Sequence, residues 1–242
     1  MLKWCRLWIH KNDEKDQRSS SSAADRFCYV PGSYDGSSPY ALFITLPGYE
    51  GLYFQGVGVN LRSEDFGFEA QDYNDNMIIA APQLEGWDEL SADQTITLTE
   101  YLISHYNIDE KSVYLKGMSG GGETGSLVMG KRPDLYAAYL AVSTKWDGDL
   151  EVLADAVTPV YMAVGAEDTY YGSEPLRDAY DELYGIYEER GMSGEEIDEI
   201  LVLDVKDQEY FSSRGYSDQH AGGAAFAYDE NVMGWLFDKQ RE

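Results

Sequence analysis

The chain has 242 residues, 43% of them hydrophobic, and carries 44 acidic against 18 basic side chains, for a formal net charge of −26. That length and apolar content suit an α/β domain with a substantial core, whereas so negative a body repels nucleic acid and anionic membranes, and neither is expected as a partner. No apolar run approaches the roughly 18 residues of a membrane span, and two cysteines, Cys5 and Cys28, are too few for a disulfide framework.

In chain order, the first 26 residues stand apart. They hold six basic and four acidic residues, leaving 12 basic and 40 acidic for the remainder, and they contain Ser19-Ser20-Ser21-Ser22-Ala23-Ala24, the composition of a flexible linker. A disordered tail over 1–26 and one domain over 27–242 are expected. Met1–Ile9 is interrupted by Lys3 and Arg6 and followed by a charged run from Lys11 to Asp16, so it does not read as a signal peptide. As written, the chain is expected in the cytoplasm, with secretion the alternative if its start is truncated or altered.

Strands are predicted near 27–31, 41–46, 77–81, 112–117, 138–143, 159–164 and 200–205. Helical runs alternate with most of them. Residues 90–106 and 174–190 space their apolar side chains by three and four, 120–130 is amphipathic, and a last helix is predicted around 225–239. Such alternation predicts an α/β fold with a mostly parallel central sheet and helices on both faces. Strands 138–143 and 159–164 enclose no long insertion, the usual place for a large lid, so an open site is expected.

Gly117-Met118-Ser119-Gly120-Gly121 follows the β-favouring run Ser112 to Lys116 and opens the 120–130 helix. This is the G-x-S-x-G pattern of a nucleophile elbow, in which a serine sits on a strained strand-to-helix turn and small neighbours expose its hydroxyl. Ser119 is the candidate nucleophile. The run Gly120 to Gly125 also fits G-x-G-x-x-G, a pyrophosphate cradle, but that fingerprint calls for an acid about 20 residues on, where Lys145 stands with Asp147 nearby. No Lys-Ser/Thr pair follows the glycines, which removes a P-loop.

A serine nucleophile needs a base, and the chain has three histidines. His10 lies in the charged N-terminal stretch and His105 ends a helical segment ahead of the nucleophile strand. His220, in the loop Ser217 to Gly223 after the last strand, remains. For the orienting acid, the strand 159–164 runs into Ala166-Glu167-Asp168. Asp168 is preferred, and Glu167 in the same loop is the alternative.

Together these pieces resemble the α/β-hydrolase superfamily from about Arg26 onward. The segment Ser112 to Ala138, with its elbow and Arg132-Pro133-Asp134-Leu135-Tyr136-Ala137-Ala138, is similar to the compact feruloyl-esterase-like and polyhydroxyalkanoate-depolymerase-like esterases. Tyr29-Val30-Pro31 with Tyr34-Asp35-Gly36 is similar to the strand and turn ahead of their oxyanion strand, and Ala41 to Leu46 looks like that strand. Where many members carry His-Gly at its end, this chain has Pro47-Gly48, as in peptidase-like relatives. The resemblance implies acyl transfer through a serine ester, with His220 as general base and acid and Asp168 holding its tautomer. It implies oxyanion donors from the backbone N–H groups of Gly120 and Tyr49, and requires no metal or organic cofactor.

The expected substrate is a small-molecule or polymer-linked ester. Loops after strands carry Tyr49, Tyr53, Phe54, Trp87, Trp146, Tyr170 and Tyr171, and ligands of α/β sheets bind beyond the strands' C-terminal ends. Of these, Trp87, Trp146, Tyr170 and Tyr171 are the candidate substrate-binding residues. Two rival readings are a prolyl-oligopeptidase-like peptidase, whose relatives usually add a propeller domain, and a catalytically silent hydrolase fold used for binding. The retention of serine, acid and histidine in order argues against the latter.

Overall fold

The computed structural model describes residues 4–6, 26–49 and 64–241. Its centre is a sheet of apolar strands: β1 (Trp4–Arg6), β2 (Arg26–Tyr29), β3 (Tyr40–Leu46), β4 (Met77–Pro82), β5 (Ile108–Met118), β6 (Ala138–Val142), β7 (Val160–Gly165) and β8 (Leu201–Lys206). Among the described residues their order is β1-β2-β4-β3-β5-β6-β7-β8, with β1 and β2 antiparallel at one edge and the rest parallel. Within the expected tail, Trp4–Arg6 thus pairs with β2, while residues 7–25, including His10 and the serine run, lie outside the described residues.

The central strands β3, β4, β6 and β7, and β5 from Ser112 onward, read as near-continuous apolar runs because both faces are covered. Successive side chains alternate between faces. Leu42, Ile44, Val113, Leu115, Tyr139 and Val164 point into one core layer, and Phe43, Tyr114, Met118, Leu140, Val142 and Ala163 into the other.

The helices divide accordingly. On the first face lie α2 (Glu89–His105), α3 (Gly120–Met129), α4 (Leu150–Ala156), α5 (Glu174–Glu189) and α6 (Gly194–Ile200), contributing Leu98, Val128, Leu153, Leu183 and Ile197. On the second lie α1 (Phe66–Glu69), α7 (Gln208–Ser212) and α8 (Glu230–Asp238), contributing Phe66, Phe211, Val232 and Leu236. Starts are set by local caps: Asp88 accepts the Ser91 N–H at α2, and Ser193 with Glu196 forms a capping box at α6.

The last helix departs from expectation. Residues Ala221–Tyr228 form a 3-10 segment and α8 begins only at Glu230. Gly222 through Ala227 are buried on every side, so the segment has no polar stripe. Asp229 then accepts the Asn231 N–H at 3.0 Å and restarts the chain as an α-helix.

In-register parallel pairing brings the carboxyl ends of β3, β5, β6 and β7 to one edge, through Leu46↔Gly117, Met118↔Val142 and Val142↔Ala163. Gly48, Ser119, Thr144 and Asp168 follow these ends directly.

Candidate active site

Ser119 leaves β5 with φ 53° and ψ −126°, a left-handed backbone that a non-glycine residue adopts only when its surroundings impose it. Those surroundings are visible. The Ser119 N–H donates to the Val142 carbonyl at 3.0 Å, and the Ser119 carbonyl accepts from the Gly122 N–H at 2.8 Å and the Thr144 hydroxyl at 2.7 Å. The turn closes only with glycines around it: a Cβ on Gly121 would stand 2.4 Å from the Pro47 carbonyl oxygen, and one on Gly120 would stand 2.2 Å from the Trp87 ring. At the next glycines of the alternative G-x-G-x-x-G run, a Cβ would meet Thr144 and Tyr139 at 2.5 Å. That run packs tightly on protein and leaves no cradle for a pyrophosphate.

The Ser119 hydroxyl lies 3.0 Å from His220 Nε2, and His220 Nδ1 lies 2.9 Å from Asp168 Oδ2 and 3.1 Å from Oδ1. Of the two candidate acids Asp168 is buried, whereas Glu167 is exposed and its backbone N–H donates to Gln219 Oε1 at 2.6 Å. Burial by itself would raise the Asp168 carboxyl. The hydrogen bond from His220 and the N–H groups of Tyr171 and Tyr170, both 2.9 Å from Oδ1, outweigh it and hold the group below the ordinary carboxylate value. The acid and histidine loops are also tied to each other, by Glu167 to Gln219 and by the Thr169 hydroxyl to Asp218 Oδ2 at 2.7 Å.

A cavity of about 490 Å³ opens over this constellation, lined by Gly48, Tyr49, Trp87, Tyr170, Tyr171 and Tyr216 among others. Tyr170 is 73% exposed and its ring centroid is 5.2 Å from that of His220. The Tyr171 hydroxyl donates to Glu123 Oε1; burial first, and then this carboxylate, push it far above the ordinary phenol value, so it stays protonated.

Trp146, expected beside these aromatics, does not reach the cavity. It packs edge-on against Tyr139 at 5.9 Å, donates its Nε1–H to the Gly148 carbonyl at 3.0 Å, and lines a neighbouring cleft with Asp147, Asp149 and Asp178. Once Thr144 is turned back to the elbow, its loop carries Trp146 down onto β6. Tyr53 and Phe54 lie outside the described residues. Sequence reasoning did not single out Tyr216, Met118 or Glu64, which also line the cavity.

Gly120 opens α3, so its N–H has no partner inside the helix. The Gly48 N–H donates to Glu64 Oε1 at 2.5 Å. Among the described residues no group of three or more His, Cys, Asp or Glu side chains is arranged to hold a metal ion.

Residues 85–184 match the model of the prolyl oligopeptidase family. No curated protein matches the chain. Solved structures are similar in fold. A thermostable esterase aligns over 89% of this chain with a TM-score of 0.71 and 20% identity. A poly(3-hydroxybutyrate) depolymerase from Bordetella parapertussis aligns over 90% of this chain and 87% of its own, with a TM-score of 0.60 and 16% identity. A fluorophosphonate-binding serine hydrolase of Staphylococcus aureus aligns over 89% and 93%, with a TM-score of 0.62 and 13% identity. The chain spans 59% of the length of the thermostable esterase. The fold is that of the α/β-hydrolases.

Proposed function

We propose that this protein is a serine hydrolase that cleaves carboxylic esters through an acyl-enzyme on Ser119. The observation that carries the reading is the unbroken line from Ser119 Oγ to His220 Nε2 and from His220 Nδ1 to the buried Asp168. In this mechanism Ser119 attacks the ester carbonyl as His220 takes its proton. The tetrahedral oxyanion is received by the Gly120 N–H at the start of α3, where the helix dipole also favours negative charge, and by the Tyr49 N–H. His220 returns the proton to the leaving alcohol, then activates water to release the acid, while Asp168 keeps Nδ1 protonated.

The likenesses to an esterase and to a poly(3-hydroxybutyrate) depolymerase support an ester as substrate. Trp87, Tyr170 and Tyr171 are the residues we assign to holding its non-reacting parts.

A second reading, a serine peptidase, draws on the family match over 85–184 and on Pro47-Gly48. The same machinery would serve an amide, so the two separate by substrate. Purified protein assayed with p-nitrophenyl acetate and butyrate beside peptide p-nitroanilides should give the larger kcat/KM on the esters. The reverse order would favour the peptidase. Ester turnover that persisted unchanged in Ser119→Ala would sink both.

A further inference from the structure

A lysine in the middle of an apolar strand is out of place unless something answers its charge. Lys116 is that residue. It lies on β5 three positions before Ser119, is 0% exposed, and sits with its Nζ 4.1 Å from the centroid of the Phe66 ring. Its ammonium donates to Glu64 Oε2 and, at 3.4 Å, to the carbonyl of Leu46, the last residue of β3. Glu64 is 5% exposed, and its other oxygen accepts the Gly48 N–H. A Cβ placed on Gly48 would lie 3.3 Å from Glu64 Oε1 and 3.4 Å from Ser119 Cβ, so a carboxylate and the nucleophile flank one glycine.

Two consequences follow from this chemistry. The turn after β3 is fixed from both sides, its Leu46 carbonyl by the ammonium and its Gly48 N–H by the carboxylate. A carboxylate this close to a forming oxyanion would also oppose it electrostatically, and in a buried site that repulsion is weakly screened. Lys116 supplies the charge that cancels it.

The geometry points to Glu64 and Lys116 as positioning residues for ester hydrolysis: the pair tethers the turn that carries the Tyr49 oxyanion donor, and the lysine neutralises the tether's charge beside Ser119. This inference rests on the serine-hydrolase reading above. Burial holds the Lys116 ammonium below the ordinary lysine value, and the Glu64 carboxylate offsets part of that.

The test uses variants in which no charge is left buried. Lys116→Met/Glu64→Gln keeps an acceptor for the Gly48 N–H, whereas Lys116→Met/Glu64→Leu does not. With p-nitrophenyl butyrate, the Gln double variant should keep kcat within about tenfold of wild type, and the Leu double variant should lose about a further 10², the typical cost of one oxyanion donor. KM should stay within about threefold in both, since a uniform binding loss is not expected. The single Lys116→Met variant, with its carboxylate uncompensated, should turn over more slowly than the Gln double variant. Equal kcat in the two double variants would overturn the tether, and a single variant as active as the Gln double would overturn the charge compensation. Wild-type protein that neither hydrolyses the ester nor reacts at Ser119 with a fluorophosphonate would overturn the hydrolase reading and this inference with it.

Discussion

The floor and the rim of the cavity are built on different principles. The floor, with Gly48, Met118 and Ser119 at the ends of β3 and β5 and Glu64 ahead of α1, is buried or nearly so, with backbone groups tied to Val142, Thr144 and Glu64. The rim is made of aromatic side chains on loops, from Tyr49 and Tyr170, which stand out into solvent, to the half-buried Trp87, Tyr171 and Tyr216. The floor is anchored in the sheet, Asp168 and His220 stand on loops pinned to each other through Glu167 N–H to Gln219 and Thr169 to Asp218, and the rim aromatics stand on loops at the cavity mouth.

On that division, changes in the floor and in the pinned Asp168 and His220 loops strike kcat, and changes in the rim strike KM. The largest effect is expected from Ser119→Ala and His220→Ala, each lowering kcat by about 10⁴ to 10⁶ with the fold intact, as steady-state kinetics beside circular dichroism would show. Next, Asp168→Asn should cost about 10⁴ in kcat, while Glu167→Gln, on an exposed neighbour, leaves it within about twofold. Comparable losses from both would break the assignment of Asp168.

Smaller effects sharpen the comparison. Gly121→Ala forces a Cβ against the Pro47 carbonyl oxygen, and should lower stability by about 1–3 kcal/mol in urea melts while moving the elbow away from β3. Tyr170→Ala, at the rim, should raise KM by about two- to tenfold, the worth of one aromatic contact, with kcat unchanged.

A pH dependence follows from Asp168 as well. Its carboxyl is held below the ordinary value, so its stabilisation is complete above the unfolded-state value of about 3.9 and is lost as pH falls through the folded value. The stability gap between wild type and Asp168→Asn should therefore narrow on acidification below about pH 4, whereas a constant gap would mean the carboxylate is not the stabilising group.

Much of this was legible in the residues before any coordinates. The central strands could be read because each is an apolar run bounded by turn residues, and burial on both faces requires that pattern. The expected 225–239 helix exceeds the observed Glu230–Asp238 for the same reason in reverse, since an all-apolar stretch such as Gly222 to Ala227 has no periodicity to mark its type. No stripe announces α1, α4, α6 or α7, since four to seven residues are too few to show one, though Ser193 and Glu196 spell out a capping box at α6.

Within the site, Ser119, Asp168 and His220 could be proposed from strand ends and chain order. Trp146 could not be placed, because position in a loop does not give the direction of a side chain. Glu64 was invisible, for nothing near it in sequence announces a partner 52 residues away. Its visible half was Lys116, the lone cation in Val113-Tyr114-Leu115-Lys116-Gly117-Met118.

The central claim is that Ser119 is a nucleophile armed by His220. It is tested most directly by treating the folded protein with a fluorophosphonate and mapping the adduct by peptide mass. The account predicts one stoichiometric adduct on Ser119, formed far more slowly in His220→Ala. An unmodified Ser119 in folded wild-type protein, or an adduct elsewhere, would contradict it.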